Sequence, residues 1–426
     1  MSYLKTERCP HWQIASALLV VMVSNVASAA ETSVKAGASL NYEYNDNVRV
    51  SPINQIALSG WTASGSVDMR YATPRFAAEG TLRLNSEKFD SVDTKKLSPG
   101  LQEPDPSDFD SDNQALSGTL TYSAERQKYA LYGEYSRDST LNTQFTDTGL
   151  GDLATVEGAS RRESVTLRPS WRWQMTERQN LSLTYEWQDV EFDSERYSDY
   201  DYQSLVSSWA YGLTERVSLQ VVPTFSYYES SRVDKVTSTA YGVQAGAVWE
   251  YSENLNFTGL IGSTRVETEV DGGFFIIDPE TFELIFVEYD DQESTGLTGN
   301  LRASYTQERT GISAQLISEY VPSGNGRLRE DTQARLKYFW KPLERMRLDF
   351  DARYGVSKDT RARGGTETER DYAEAGVRFA YQFAEEWWVS AKYRYRLQDY
   401  ENSANGSGEG NLFLASVSYR LPKEIL

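Results

Sequence analysis

"QMTERQNLSLTYEW" (residues 174–187) and "GLTERVSLQVVPTF" (residues 212–225) share a Thr-Glu-Arg knot, each followed by apolar residues at every second position. The knot returns, with small changes, at Glu125-Arg126, Glu253-Asn254, Glu308-Arg309, Glu344-Arg345 and Glu385-Glu386. Successive copies lie 52, 38, 38, 55, 36 and 41 residues apart. Two strands of about ten residues, a short turn and a longer loop fill about 38 residues. The turn therefore repeats because a hairpin repeats.

Alternation between the knots supports this. In "WTASGSVDMRY" (61–71), Trp61, Ala63, Val67, Met69 and Tyr71 share one face and Thr62, Ser64, Ser66, Asp68 and Arg70 the other. In "VSAKYRYRLQ" (389–398), Val389, Ala391, Tyr393, Tyr395 and Leu397 oppose Lys392, Arg394, Arg396 and Gln398. A period of two is a strand signature, and no comparable 3.6-residue pattern appears. With Ala72-Thr73-Pro74-Arg75 as an eighth short turn, the strands number about 18, from one near 34–44 to one near 411–421. The pattern predicts an all-β, transmembrane, up-and-down antiparallel β-barrel of about 18 strands, with 16 as the alternative. Its short turns would be periplasmic and its long, acidic loops extracellular. One such loop is residues 89–113; another, 270–294, has two apolar runs around Pro279 that suggest a projecting hairpin.

A soluble sandwich also alternates, but some 390 residues run here without a linker. Aromatics flank the turns at Tyr71, Tyr122, Trp173, Tyr211, Tyr251, Tyr305, Trp340 and Tyr381. A second set stands at the loop ends: Tyr44, Tyr135, Trp187, Tyr227, Tyr320, Tyr354 and Tyr400. Two such rings fit the two interfaces of a bilayer. Pro169 and Pro223 fit less well, since each falls mid-strand and removes a ladder donor.

Residues 1–30 read as a secretory signal peptide: Lys5 and Arg8, an apolar core from Ile14 to Val23, then Ala27-Ser28-Ala29. Residues 31–426 form the single barrel domain. The expected location is a Gram-negative outer membrane, with outer-membrane lipid and lipopolysaccharide as surroundings. Cleavage would remove Cys9 and His11, the only cysteine and histidine. That closes off disulfides, imidazole-based catalysis and ordinary zinc sites, so no enzyme chemistry, cofactor or metal is assigned. The whole chain carries a net charge of −19, which argues against a nucleic-acid partner.

The expected lumen face gathers cations in its C-terminal third: Arg335, Lys337, Arg347, Arg353, Arg378, Lys392, Arg394 and Arg396. Asp349, Asp351 and Glu374 lie among them. Two readings stay open, a basic wall guiding an anionic solute and a salt-bridge network tying strands together. Clustered carboxylates in "DPSDFDSDN" (105–113) allow either cation binding or plain solvation, and their spacing matches no calcium loop.

"LNYEYNDNVRVSP" (40–52) resembles the opening of the β-barrel porin family of bacterial outer-membrane proteins, with Tyr44, Asp46 and Asn47 as its Tyr-x-Asp-Asn element. The Glu-Arg turns and "LFLASVSYRLP" (412–422) resemble that family too. The resemblance implies outer-membrane location and a role in exopolysaccharide export. One departure is the end, where "RLPKEIL" follows Tyr419 instead of a terminal aromatic residue. The leading expectation is a porin-like channel for hydrophilic solutes. The alternative is a non-conducting surface barrel acting as adhesin or assembly scaffold.

Overall fold

The computed structural model describes residues 31–95, 104–139, 161–194, 197–230, 235–277, 284–288, 291–324, 326–359, 369–400, 407–421 and 424–425. The proposed signal peptide lies outside them. Alternating sequence becomes strand throughout. The first hairpins are β1 (Glu31–Asn45), β2 (Gln55–Ala72), β3 (Phe76–Lys95), β4 (Ser111–Ser123), β5 (Gln127–Ser139) and β6 (Arg161–Gln174). Then come β7 (Gln179–Phe192), β8 (Tyr200–Gly212), β9 (Val217–Ser230), β10 (Val236–Glu250) and β11 (Leu255–Val270). A separate two-strand sheet follows, β12 (Gly273–Ile277) with β13 (Leu284–Glu288). The series resumes with β14 (Gln292–Thr306), β15 (Thr310–Ser323), β16 (Arg327–Leu343) and β17 (Met346–Asp359). It ends with β18 (Glu369–Gln382), β19 (Trp387–Tyr400), β20 (Gly408–Arg420) and β21 (Glu424–Ile425).

Each long strand pairs antiparallel with its neighbour, and β20 pairs back onto β1. Leaving out β12, β13 and the short β21, that is a closed barrel of 18 strands. The 18-strand reading holds and the 16-strand alternative falls. Closure removes the free edge except where the β14–β15 ladder ends at Gly299 and Ser318, so elsewhere backbone donors and acceptors can pair within the wall. The apolar runs around Pro279 form the expected extra hairpin, β12–β13, which pairs only with itself.

All eight short turns sit where the repeats place them, and their backbone shows what they share. The carbonyls of Arg75, Arg126, Arg178, Arg216, Asn254, Arg309, Arg345 and Glu386 each accept a backbone N–H from an adjoining strand end. Those donors are Ser123, Gln174, Gly212, Glu250, Thr306, Lys341, Gln382 and Arg420. Every turn is thereby stitched to the next hairpin. The hydroxyl that opens the knot also has work: Thr214 Oγ1 accepts from Arg216 N (3.2 Å) and Val217 N (3.0 Å). Thr73 and Ser252 accept in the same way from Phe76 N (3.0 Å) and Leu255 N (3.1 Å). These are hydroxyl-closed turns.

Register separates two faces around the whole wall. Leu40, Ala63, Leu82, Leu116, Leu131, Leu167, Leu205, Phe225, Ile261, Leu301, Leu336, Phe350 and Val417 fall on one face, which is apolar and largely exposed. The opposite face is polar and points into the lumen. Tyr71, Tyr122, Tyr211, Trp340 and Tyr381 border the apolar band on the turn side, and Tyr44, Tyr135, Trp187, Tyr227 and Tyr354 on the loop side. Tyr320 departs from that ring. It packs instead against an inner apolar cluster. Tyr400's side chain lies outside the described residues.

Candidate functional site

Among the described residues, the lumen face is the large polar surface that the wall encloses. All eight sequence-predicted cations face it. Register aligns Arg335, Arg353, Glu374 and Arg396 in one row across β16–β19. The next row toward the turns is Lys337, Asp351, Gly376 and Arg394, and the one after it contains Asp349, Arg378 and Lys392. Arg347 lies a further row down, opposite Ala380.

Their surroundings divide them into two tiers. On the turn side Lys337, Arg347 and Arg378 are exposed and Lys392 half-buried. With Arg394, Arg420, Asp349 and Asp351 they line an open cavity of about 550 Å³. Six cations face two carboxylates there, so the vestibule is basic. Arg347 is tied down locally, Nη2 to Asp349 Oδ1 at 2.7 Å, and Arg394 is held from the row above by Glu374.

Nearer the loops the same wall is packed. Arg353 is 9% exposed, Arg396 3% and Tyr372 1%. Arg394 pairs with Glu374 at 2.8 Å. Glu374 also accepts the Tyr372 hydroxyl. Arg335 donates to Gln333 Oε1 at 3.0 and 2.6 Å. Arg396 Nη2 donates to Asn45 Oδ1 at 2.6 Å and to the Asn47 carbonyl at 3.2 Å. Both wall readings thus have local counterparts, open cations below and a bonded lattice above.

The bonds to Asn45 and Asn47 give the opening motif a structural role. Asp46 accepts from Asn411 N (2.6 Å) and Nδ2 (2.7 Å). Asn47 Nδ2 donates to the Glu409 carbonyl at 2.8 Å. These contacts latch the end of β1 to β20, the seam that closes the barrel. The departure at the C-terminus belongs to the same seam. Leu421 N donates to the Ala36 carbonyl at 2.9 Å, and β21 pairs with Ser33 and Val34 of β1.

Sequence periodicity missed the element that narrows the lumen. Pairing between β14 and β15 stops at Gly299 and Ser318, although both strands continue. Beyond that point the β15–β16 hairpin leaves the wall and folds inward. Leu328, fully buried near its tip, packs with Val190, Tyr200, Tyr202, Tyr228, Ala240 and Val266 from the inner faces of β7 to β11. The Tyr228 hydroxyl donates to the Ser323 carbonyl at 3.0 Å, and Ser198 N donates to the Gly324 carbonyl at 2.9 Å. Tyr320 lies over Gly296 on the inner side of β14, which is why it is missing from the aromatic ring. Two signals in the sequence mark this hairpin: Pro322, which lacks a donor, and Gly326, whose φ of +81° suits glycine.

The acidic segment 105–110 is used structurally. Asp105 accepts from Ser107 N (2.9 Å) and Asp108 accepts from Asp105 N (3.0 Å), capping the short 3-10 turn Pro106–Phe109. Asp110 accepts from Phe89 N at 3.0 Å. Phe109 is thereby fixed among Val48, Ile56 and Leu58. The Ser107 hydrogen bonds hold the Asp105 carboxyl below its usual range. Among the described residues no group of His, Cys, Asp or Glu is placed to hold a metal ion.

No family model matches the chain, and no curated protein matches it. Solved structures similar to it include the FrpB iron transporter of Neisseria meningitidis (F5-1 variant), at 8% identity and TM-score 0.48, covering 91% of this chain and 82% of that one. The copper transporter OprC is similar at 10% identity and TM-score 0.46, covering 93% and 82%. OccAB4 of Acinetobacter baumannii is similar at 12% identity and TM-score 0.44, covering 94% and 100%. The likeness is one of barrel shape.

Proposed function

We propose that the protein is an outer-membrane channel for small hydrophilic solutes, biased toward anions and constricted on its loop side. The observation that carries this reading is the pairing of two surfaces on one closed wall. Outside is an apolar band edged by aromatic residues; inside is a polar lumen with a basic vestibule. An apolar belt of that extent is costly in water and suited to hydrocarbon. In that setting the short turns face the periplasm and the loops the outside, with lipopolysaccharide around the loop-side rim. Vestibule cations raise the local concentration of anions.

A link to exopolysaccharide export rests on the family resemblance alone. The packed layer beside the folded hairpin favours small solutes over a polymer. That layer also favours the second reading, a non-conducting surface barrel. The two separate in reconstituted vesicles: entry of small anions such as phosphate through the inserted barrel supports the channel, and a sealed barrel supports the scaffold.

A further inference from the structure

We propose that Glu319 and Asp331 form a proton-operated catch at the hinge of the inward β15–β16 hairpin, holding it across the lumen when one of them is protonated and loosening it when both are ionised. This deepens the channel reading and rests on it for treating the lumen as a solute path.

Glu319 directly follows Ser318, the last residue of β15 to pair with β14. The hairpin therefore leaves the wall at this residue. Ser318 Oγ donates to the Leu297 carbonyl at 3.0 Å and lies 2.9 Å from Thr332 Oγ1, which pins the bend. Across the hairpin, Glu319 stands opposite Asp331. Like charges directly opposite one another in a sheet destabilise it. Two carboxylates that share a site therefore hold a proton that neither would hold alone.

The surroundings decide which acid takes that proton. Burial raises the Asp331 carboxyl, but Arg329, a hydrogen bond from Gln333, Arg353 and Arg335 all oppose the rise. Glu319 has the opposing charge of Arg335 alone. Among the described residues its carboxylate accepts no hydrogen bond and meets no cation at ion-pair distance. Residues 294–298 of β14 carry no charge, and Tyr320 and Glu330 occupy the other face of the hairpin. From the facing wall, Tyr202 lies within electrostatic reach of Glu319 and of Glu186, and Glu186 is already paired with Arg168 at 2.6 Å. Inside the lumen and off the wall, Glu319 is pushed up to about 7 by burial and then by the Asp331 charge. Once the hairpin opens, water restores the ordinary value, about 4.3. The closed hairpin thus binds the extra proton. Its catch is at full strength below about pH 4.3, and is lost as pH rises to about 7.

The test follows Ser323, which is fully buried in the seat of the hairpin. Ser323→Cys is made together with Cys9→Ser, which removes the chain's one native cysteine. A thiol reagent then labels the refolded, detergent-solubilised barrel across a pH series. Rates are divided by those of the urea-unfolded chain at each pH, which cancels the reagent's own pH dependence. Relative labelling should rise at least about threefold between about pH 5 and about pH 8, and Glu319→Gln should hold it at the low value throughout. Should Glu319→Gln not refold, Asp331→Asn should move the midpoint of the rise to lower pH. Flat labelling of the otherwise wild-type chain, an equal rise in Glu319→Gln, or an unmoved midpoint in Asp331→Asn overturns the catch. Labelling needs no current, so the two readings fail separately. A sealed barrel whose labelling rises with pH refutes the channel, whereas a conducting barrel with flat labelling refutes the catch.

Discussion

At the scale of single residues, the eight cations of one face do different things because their neighbours differ. Lys337 and Arg378 stand exposed in the vestibule, so Lys337→Gln with Arg378→Gln should move the reversal potential toward cations in a salt gradient. Arg396 is buried against Asn45 and Asn47. Arg396→Ala strands those acceptors and should cost about 1–3 kcal/mol, read as a lower urea midpoint for the barrel refolded in vesicles. A loop-side example is Glu229, beyond the belt residue Tyr227. Its carboxyl is held below the usual range by hydrogen bonds from Lys235 and then Tyr227. A depressed carboxyl pKa adds stability above its unfolded value, about 4.3, and that share is lost as pH falls through the folded value. Glu229→Gln should therefore flatten the acid side of the stability profile, and an unchanged profile would show the pair to be idle. The inward face of all eight cations was legible from a period of two. Their division into open and packed tiers was not, because packing depends on contacts between segments far apart in sequence.

Elements show the same boundary between what is local and what is not. Turns repeat in sequence because each must close a hairpin and meet the next strand, and both tasks are local. Thr214→Val removes one acceptor for two N–H groups and should cost about 1 kcal/mol by the same urea assay. Pro169 and Pro223, the two mid-strand exceptions, sit in the wall at a measurable cost in pairing. Pairing between β6 and β7 is missing at Arg168 and Pro169, and between β8 and β9 opposite Val222 and Pro223. At the first gap the Arg168–Glu186 ion pair, 2.6 Å, spans the interrupted ladder. The inward β15–β16 hairpin lies beyond periodicity, since its residues alternate as wall strands do. Its hold on the lumen comes from Leu328. Leu328→Ala should cost about 2–5 kcal/mol of packing and give larger, noisier single-channel currents. Currents unchanged in size and noise would mean the hairpin does not limit flow.

For the molecule as a whole, the repeat of hairpins fixed the strand count, and closure follows from eighteen strands needing no edge. Latching at the seam could be seen only once β1 and β20 were side by side, with Asp46 on Asn411 and Arg396 on Asn45 and Asn47. In the proposed channel, flow is a balance between a basic vestibule and a packed loop-side layer. The most direct measurement is single-channel current across a planar bilayer under a salt gradient, made on the purified barrel. A small, steady conductance with a reversal potential on the anion side is the expected result. A barrel that inserts correctly but conducts cations, or conducts nothing with or without the Leu328→Ala change, would contradict the channel.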